Sequence, residues 1–263
     1  PKIEQNLPSI VSVDGDHGFA PYALELGLPV LAKAAEDNGI AILKISNSFH
    51  FAALWPETEF LADKGLIGIA CTAAKPMVAP AGAKKAFFGT NPLSFAWPRK
   101  ESTPIVFDMA TSTLAMGDVQ IAARDGHAVP RGTGLGPDGN PSDDPREIIK
   151  GVLLPFGGYK GSAISLMVEL LSAGLTGDNF SYEAGAKDNN DGGPPKGGEL
   201  IIAISPTLVA GNEWSNHSEM FLTKLKNMDG VRIPGERRHK NRLDQGPRFI
   251  NKAMLDKVKQ LLE

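Results

Sequence analysis

The first quarter of the chain alternates between two hydrophobic patterns, and this alternation constrains the fold more than any other feature. Apolar residues at helical spacing occupy residues 22–38, and Gly39 follows where a helix would end. An uninterrupted apolar run at 40–45 predicts a buried strand. Residues 54–64 and 66–72 repeat the same pair of patterns. A helix–strand–helix–strand order predicts an α/β fold.

The remainder of the chain continues this mixture of helices and strands. The patterns predict helices at 112–124, 162–175, 219–228 and 252–262, and strands at 92–97, 105–108 and 199–205. Thr111 or Ser112 is expected to cap the first of these helices, and Pro29 is expected to kink or interrupt the helix at 22–38.

Two segments rich in Gly, Pro, Asn and Asp, residues 125–145 and 184–198, are expected to be surface loops. We expect residues 1–230 to form one α/β domain that binds cofactor and substrate, with these loops as insertions. Residues 231–263 are expected to add a basic loop and a C-terminal helix.

Composition excludes several classes of protein. The chain has 263 residues, of which 42% are hydrophobic and 22% charged, as in ordinary globular proteins. It contains no apolar run of the roughly 18 residues that a membrane helix needs and no basic-then-apolar signal at its start, so we expect a cytoplasmic protein without a membrane partner. A net charge of -3 argues against a nucleic-acid partner. The single cysteine, Cys71, lies in an apolar run and is expected to be a buried thiol.

One literal dinucleotide-binding fingerprint is present, and its context argues against that function. Gly134, Gly136 and Gly139 have the GxGxxG spacing, but Pro137 lies between them and neither a strand before nor a helix after is predicted. We expect a turn-rich loop there. No Walker loop, zinc-ligand spacing or Gly-x-Ser-x-Gly elbow is found, so neither a phosphoryl-transfer site, a metal site nor a serine hydrolase is expected.

Two segments have the composition of an anion site. The run FGGYKGS at 156–162 combines flexible glycines with Lys160 ahead of a predicted helix, although a glycine turn with a solvated lysine explains it equally well. The run GERRHKNR at 235–242 could read a phosphate monoester such as the 2′-phosphate of NADPH. A solvated charged turn is the alternative.

Three further residues are candidates because of their position. His50, in SNSFHFAAL, lies between a predicted strand and helix, where ligands bind in α/β proteins, although a packed histidine is the simpler alternative. Asp108 ends an apolar strand. Asp118 could orient a catalytic histidine, or could simply be a solvated helix residue.

Taken in order, the motifs VDGDHGFA, NSFHFAAL, FGTNPLSFAWP, FDMATS, LLPFGGYKGSAISLMVELL and IPGE resemble the malate/L-lactate dehydrogenase type 2 oxidoreductase family. The resemblance covers essentially the whole chain. It implies a non-Rossmann α/β fold with a mixed sheet, flanking helices and a helical part from the termini. It also implies a homodimer whose active site is near the subunit boundary.

Within that family, RDGHAVPRGTG and GERRHKNR make the chain most similar to members that use NADPH to reduce Δ1-piperideine-2-carboxylate to L-pipecolate and Δ1-pyrroline-2-carboxylate to L-proline. The alternative within the family is an NAD(P)-dependent dehydrogenase of a 2-hydroxy acid such as malate, lactate, sulfolactate or ureidoglycolate. An alternative of another class is a non-catalytic nucleotide-binding module.

The resemblance also implies roles for individual residues. It places Thr90 and Met116 at the substrate and Asp118 in a charge relay. The family's catalytic histidine belongs to a Ser-His-Gly motif in an N-terminal helical region, which we expect before Pro1 and packed against residues 231–263; none of His17, His127 and His217 matches that motif. The residues expected to contact the cofactor are His50, Phe51, Ala52, Ala53, Leu54, Asp108, Met109, Ala110, Lys160, Gly161, Gly235, Glu236, Arg237, Arg238, His239, Lys240 and Asn241.

Overall fold

A computed structural model describes residues 1–49, 51–189 and 191–261. Within these residues a large mixed sheet has the strand order β1-β2-β3-β10-β4-β5-β6, in which only β2 and β3 pair in parallel. The expected α/β class with a mixed sheet is therefore confirmed. The strands are β1 Lys2–Leu7, β2 Ile10–Asp14, β3 Ile40–Phe49, β4 Ile67–Thr72, β5 Leu93–Trp97, β6 Ile105–Met109 and β10 Lys196–Ile204.

Ten α-helices lie in the described part of the chain, and they flank this sheet or follow it. Their bounds are α1 Ala20–Asn38, α2 Trp55–Asp63, α3 Met116–Asp125, α4 Pro145–Lys150, α5 Tyr159–Glu169, α6 Ser181–Ala186, α7 Pro206–Ala210, α8 Trp214–Lys226, α9 Glu236–Leu243 and α10 Lys252–Gln260. A π-helical turn, Leu170–Gly174, continues α5. None of these helices is both long and apolar enough to cross a bilayer.

The main core lies between α1, α2 and one face of the large sheet. Alternate strand residues such as Val13, Leu43 and Ile201 point to this face and are almost fully buried, as are Leu31 of α1 and Leu61 of α2. The other face is covered by α5 and its π-helical extension, where Val168 packs against Cys71 and Leu200. The sheet is therefore the middle layer of three, and Cys71 is buried as expected.

A second, three-stranded sheet occupies part of the segment that was expected to be only a loop. It is formed by β7 Gly134–Leu135, β8 Pro141–Ser142 and β9 Val152–Leu153. Gly134 lies in a strand here, and Gly139 lies in the turn of a hairpin with a φ of 76°. The GxGxxG spacing does not open a helix, so its rejection as a dinucleotide fingerprint is confirmed.

Several boundaries differ from the sequence prediction for identifiable reasons. α1 continues through Pro29 without interruption, because Pro29 and Glu25, four residues before it, are both exposed, so water can reach the backbone that loses a hydrogen bond. Helix α3 begins only at Met116 and neither predicted residue caps it: the Thr111 hydroxyl donates to the carbonyl of Thr90, and the Ser112 hydroxyl donates to the carbonyl of Leu114.

The C-terminal part shows two further differences. The basic run is not a loop but helix α9, which begins after Gly235 in the left-handed conformation with a φ of 94°. The loop expected at 184–198 is shorter, since α6 extends to Ala186 and β10 begins at Lys196. The predicted terminal helix is confirmed as α10.

We predict that replacing Leu31 by alanine lowers the free energy of unfolding by about 2–5 kcal/mol, because the lost side chain leaves a cavity against the sheet. Denaturant unfolding followed by circular dichroism would measure the change. The control is Val209→Ala, where 70% of the side chain is exposed and the change should stay within about 0.5 kcal/mol. Equal effects of the two substitutions would contradict the assigned core.

Candidate functional site

Asp108, at the end of β6, joins that strand to the start of α2. Its Oδ2 accepts hydrogen bonds from the backbone N–H of Leu54 at 2.7 Å and of Trp55 at 3.0 Å. These amides belong to the first turn of α2, where N–H groups have no partner within the helix and a negative charge is favourable. Burial raises the pKa of Asp108, while these two amides and the Arg238 guanidinium oppose the rise.

Thr111 continues this connection toward Thr90 and the glycine-rich run. Its backbone N–H and its hydroxyl both donate to the carbonyl of Thr90, at 2.8 and 3.0 Å. Its own carbonyl accepts from the backbone N–H of Phe156 at 3.0 Å. The segment after β6 therefore holds the predicted substrate residue Thr90 and the predicted anion-binding run side by side.

The glycine-rich run leads directly into α5. Gly157 and Gly158 have φ values of 57° and 63°, which favour glycine. The space beside Gly158 is open, since no other atom lies within 4 Å of the position that a Cβ would occupy. Lys160 is exposed in the first turn of the helix. Gly161 is buried, and a Cβ there would clash with the carbonyl of Phe156. An open backbone turn, a helix start and an ammonium group together can receive an anionic group.

Helix α9 packs against α2 through a stack of cations on Trp55. The guanidinium carbons of Arg238 and Arg242 lie 4.6 and 4.9 Å from the centre of a Trp55 ring. Arg242 also donates from both terminal nitrogens to the buried carboxylate of Glu59, at 2.5 and 2.6 Å. This paired contact ties the two helices together.

The residues of α9 thus divide into two groups. Arg242 and His239 serve the packing of the helix, because His239 contacts Glu59 at 3.5 Å through Nδ1 and the carbonyl of Pro104 at 3.0 Å through Nε2. Arg238 is different, since its Nε and Nη2 are buried without a hydrogen-bond partner among the described residues.

The other predicted residues of this segment are more exposed or have separate partners. Arg237, Lys240 and Asn241 are exposed. Glu236 forms an ion pair with Lys226 at 3.1 Å, and Gly235 lies against the backbone of Val106. The exposed side chains are therefore the groups of α9 that a ligand could reach, while Arg238 has buried nitrogens that lack an acceptor among the described residues.

The remaining predicted cofactor residues lie along the same connection. Phe51 is half-buried against the main core, while Ala52 and Ala53 are exposed. Met109 is 42% exposed, and Ala110 is half-buried beside it. His50 lies outside the described residues.

Met116 and Asp118 lie in the first turn of α3. Met116 is half-buried and packs against an apolar cluster that includes Val119. Asp118 is exposed, and no side chain in the described part of the chain donates a hydrogen bond to its carboxylate. His17 and His127 are also exposed, and neither is bonded to it. The relay role of Asp118 stays a prediction.

The sequence did not indicate the buried polar residues that hold Thr90 and the start of α5 in place. Asn91 is fully buried with a φ of 40°, and its Nδ2 donates to Glu169 Oε1 at 2.8 Å and to the Ser165 carbonyl at 3.3 Å. Thr111 and Ser165 join the same network through hydroxyls 2.7 Å apart. Trp55 and Glu59 were also missed, and so was the packing role of Arg242, which the sequence placed in the basic run. The only available signal was that Asn91 follows Thr90 directly and that Trp55 follows the NSFHFAAL motif.

Comparison with known proteins is consistent with this arrangement. A 46% identical protein of Pseudomonas putida, matched over 92% of this chain and 71% of its own length, is a Δ1-pyrroline-2-carboxylate/Δ1-piperideine-2-carboxylate reductase. A 43% identical protein of Ancylobacter novellus, matched over 92% of this chain and 72% of its own, is a Δ1-pyrroline-2-carboxylate reductase.

The solved structures agree. The crystal structure of Δ1-piperideine-2-carboxylate reductase from Pseudomonas syringae pv. tomato superposes with a TM-score of 0.90 at 44% identity, over 99% of this chain and 79% of that one. The family model of the malate/L-lactate dehydrogenases matches residues 1–257. A family of dehydrogenases and reductases implies a nicotinamide cofactor. The chain belongs to the malate/L-lactate dehydrogenase family of oxidoreductases.

Proposed function

We propose that this chain catalyses the NADPH-dependent reduction of a small cyclic 2-imino acid: Δ1-piperideine-2-carboxylate to L-pipecolate, and Δ1-pyrroline-2-carboxylate to L-proline. One observation carries the proposal. The end of β6 joins the start of α2, the glycine-rich run before α5 and Thr90 through direct hydrogen bonds, with the cation-rich α9 stacked beside them. The names of the similar reductases support the choice of substrate.

The residues present fit a phosphorylated dinucleotide. Arg238 has two buried guanidinium nitrogens without a partner among the described residues, and such groups call for an acceptor. Arg237 and Lys240 are exposed on the same helix and suit a phosphate monoester such as the 2′-phosphate that distinguishes NADPH from NADH. Gly158 and Lys160 suit the other phosphates.

The remaining proposed cofactor contacts follow the same path along the chain. When bound, NADPH supplies a hydride for the C2 carbon of the substrate. The protein's own residues hold and orient it. We assign this role to His50, Phe51, Ala52, Ala53, Leu54, Asp108, Met109, Ala110, Gly161, Gly235, Glu236, His239 and Asn241, besides the residues already named.

Thr90, Met116 and Asp118 complete the proposed substrate site. Two hydrogen bonds from Thr111 to the carbonyl of Thr90 hold the backbone there, and we assign the Thr90 hydroxyl to the substrate carboxylate. Met116 would shape the pocket wall. The exposed carboxylate of Asp118 is available to fix the tautomer of a proton-donating histidine. Positioning of this kind accounts for a large share of the rate acceleration in many enzymes.

We further propose a cytoplasmic homodimer with the active site near the subunit boundary. The exposed apolar residues Leu166, Met167 and Leu170 on α5 and its extension support the dimer, because this helix begins at the proposed cofactor site. The reaction draws on cellular NADPH, which supports the cytoplasmic location.

A second candidate is an NAD(P)-dependent 2-hydroxy acid dehydrogenase, because the matching family model is named for malate and L-lactate dehydrogenases. Both candidates need the same cofactor site. They differ in the substrate that is turned over.

We predict that the protein oxidises NADPH in the presence of Δ1-piperideine-2-carboxylate, measured as a fall in nicotinamide absorbance. Pyruvate, oxaloacetate and sulfopyruvate at equal concentration should give rates at least about tenfold lower, a difference of about 1.4 kcal/mol in transition-state binding. Turnover of an oxo acid alone would select the dehydrogenase. Binding of NADPH without turnover of any of these compounds would favour a nucleotide-binding module.

We predict that replacing Arg237, Arg238 and Lys240 together by alanine raises the Kd of NADPH by about tenfold or more and changes the Kd of NADH much less, since only NADPH carries the 2′-phosphate. Quenching of tryptophan fluorescence would report both constants. Arg131→Ala is the control, since this exposed arginine lies away from α9. An equal loss for both nucleotides would remove the 2′-phosphate assignment.

We predict that Asp108→Ala lowers the free energy of unfolding by about 1–3 kcal/mol, because the half-buried amides of Leu54 and Trp55 lose their acceptor. It should also weaken NADPH binding. Asp108→Asn keeps an acceptor oxygen and should recover most of the stability, as denaturant unfolding would show. Similar losses in the two variants would mean that the charge, rather than the hydrogen bonds, holds α2.

A further inference from the structure

A row of polar side chains crosses the large sheet beneath α2. In the strand register, Glu199 of β10 is opposite Thr72 of β4, and Ser94 of β5 is opposite Asp108 of β6. Glu57, in the first turn of α2, is only 5% exposed and Glu199 is 0% exposed, and the charges of Glu57 and Asp108 both act on Glu199. Three carboxyl groups therefore share one layer, in which Glu57 and Glu199 are buried and Asp108 is half-buried.

Three of the four carboxyl oxygens of Glu57 and Glu199 lack partners among the described residues. Both carboxylate oxygens of Glu199, and Oε2 of Glu57, are buried without a hydrogen bond from any described residue. An ionised carboxylate in such a position is strongly disfavoured, because neither water nor a donor replaces its hydration. Asp108 differs, since two amides bind its Oδ2. Two amides therefore stabilise the ionised form of Asp108, whereas burial favours the neutral forms of Glu57 and Glu199.

The position of Glu57 links this layer to the start of α2. It lies two residues after Trp55, whose backbone N–H donates to Asp108. The negative charge of Asp108 also acts on the Glu57 carboxyl and raises its pKa. A second negative charge beside Asp108 would repel it and weaken its hold on the amides of Leu54 and Trp55. Neutral Glu57 and Glu199 leave that hold intact.

We propose that Glu57 and Glu199 are positioning residues: as neutral carboxylic acids beneath α2 they allow Asp108 to hold the cofactor segment 51–55 in place, and loss of the Glu57 proton weakens cofactor binding. This inference rests on the proposed cofactor site.

The surrounding titratable groups identify Glu57 as the one that changes charge near neutral pH. Burial raises the pKa of Glu57 to about 7, its own backbone N–H opposes the rise, and the charge of Asp108 adds to it. Burial and then the charge of Glu57 raise the pKa of Glu199 well above its ordinary value. Burial raises the pKa of Cys71 on β4 to about 12, so that thiol stays neutral.

Other charged groups that pack against α2 are common to the wild type and to a Glu57 variant: Glu59 is paired with Arg242 and contacts His239 of α9. Arg238 of α9 is the cation that acts on Asp108. Helix α1, which also packs against α2, buries only apolar residues.

The first test is the Kd of NADPH as a function of pH for the wild type and for Glu57→Gln. Between about pH 6 and pH 8.5 the wild type should lose roughly three- to tenfold more affinity than the variant, because only the wild type gains a charge beside Asp108. Ionisation of NADPH itself is common to both proteins. Glu25→Gln, an exposed glutamate on α1, is the control and should follow the wild type. Parallel profiles for the wild type and Glu57→Gln would overturn the proposal.

The second test is thermal stability against pH, which does not depend on the cofactor. The pKa of Glu57 rises from 4.5 to about 7 on folding, so the folded protein binds the proton more tightly. The stability that Glu57 contributes is then fully present below pH 4.5 and is lost as pH rises from there through about 7. As pH rises from 4.5 to about 7, the Tm of Glu57→Gln should fall less than the Tm of the wild type. If the wild type does not bind NADPH at any pH, the proposed cofactor site is wrong. If the Tm profiles of the two proteins coincide, the proposed role of Glu57 is wrong.

The third test is infrared spectroscopy of Glu199. At about pH 8 the wild type should show the C=O stretching band of a protonated carboxylic acid, and Glu199→Gln should lack it. Identical spectra in this region would show that Glu199 is ionised and would overturn its assigned role.

Discussion

The carboxylate of Asp108 accepts hydrogen bonds from the two amides that begin α2, and the positions of several other segments depend on this interaction. It fixes the end of β6 against the start of a helix that is separated from it by more than fifty residues of chain. Thr111, three residues later, then binds Thr90 and Phe156 through its backbone. The proposed cofactor and substrate segments are therefore built on one strand end rather than on separate loops.

Electrostatics explain why this arrangement is stable although it gathers so many charges. The buried carboxylate of Glu59 neutralises the charge of Arg242, and both Arg242 and Arg238 stack on Trp55. Glu57 and Glu199 lack such cations, and burial favours their neutral forms. Whether a buried acid near α2 is charged or neutral thus depends on whether a cation or a hydrogen-bond donor is available to it.

Much of the fold could be predicted from local patterns. The pairing of a helical period with an apolar run correctly located α1, β3, α2 and β4, because burial on one face imposes these periods on the sequence. The start of α3 and the helical state of the basic run were wrong, because both depend on distant partners. Thr111 bonds to Thr90 rather than capping a helix, and α9 forms where Arg242 can reach Glu59. The ordered motifs identified the family, which the comparisons confirm.

The sequence by itself determined the α/β class, the buried cysteine, the rejection of the GxGxxG spacing and the segments in which a cofactor site should be sought. Only the tertiary structure decided which cations of α9 pack against Glu59 and which remain for a ligand, and that Glu57 and Glu199 share a layer with Asp108. The reason is physical: hydrophobic periods are local properties of the chain. Hydrogen-bond partners and the desolvation of a carboxyl group are set by residues that are remote in sequence and meet only in the folded protein.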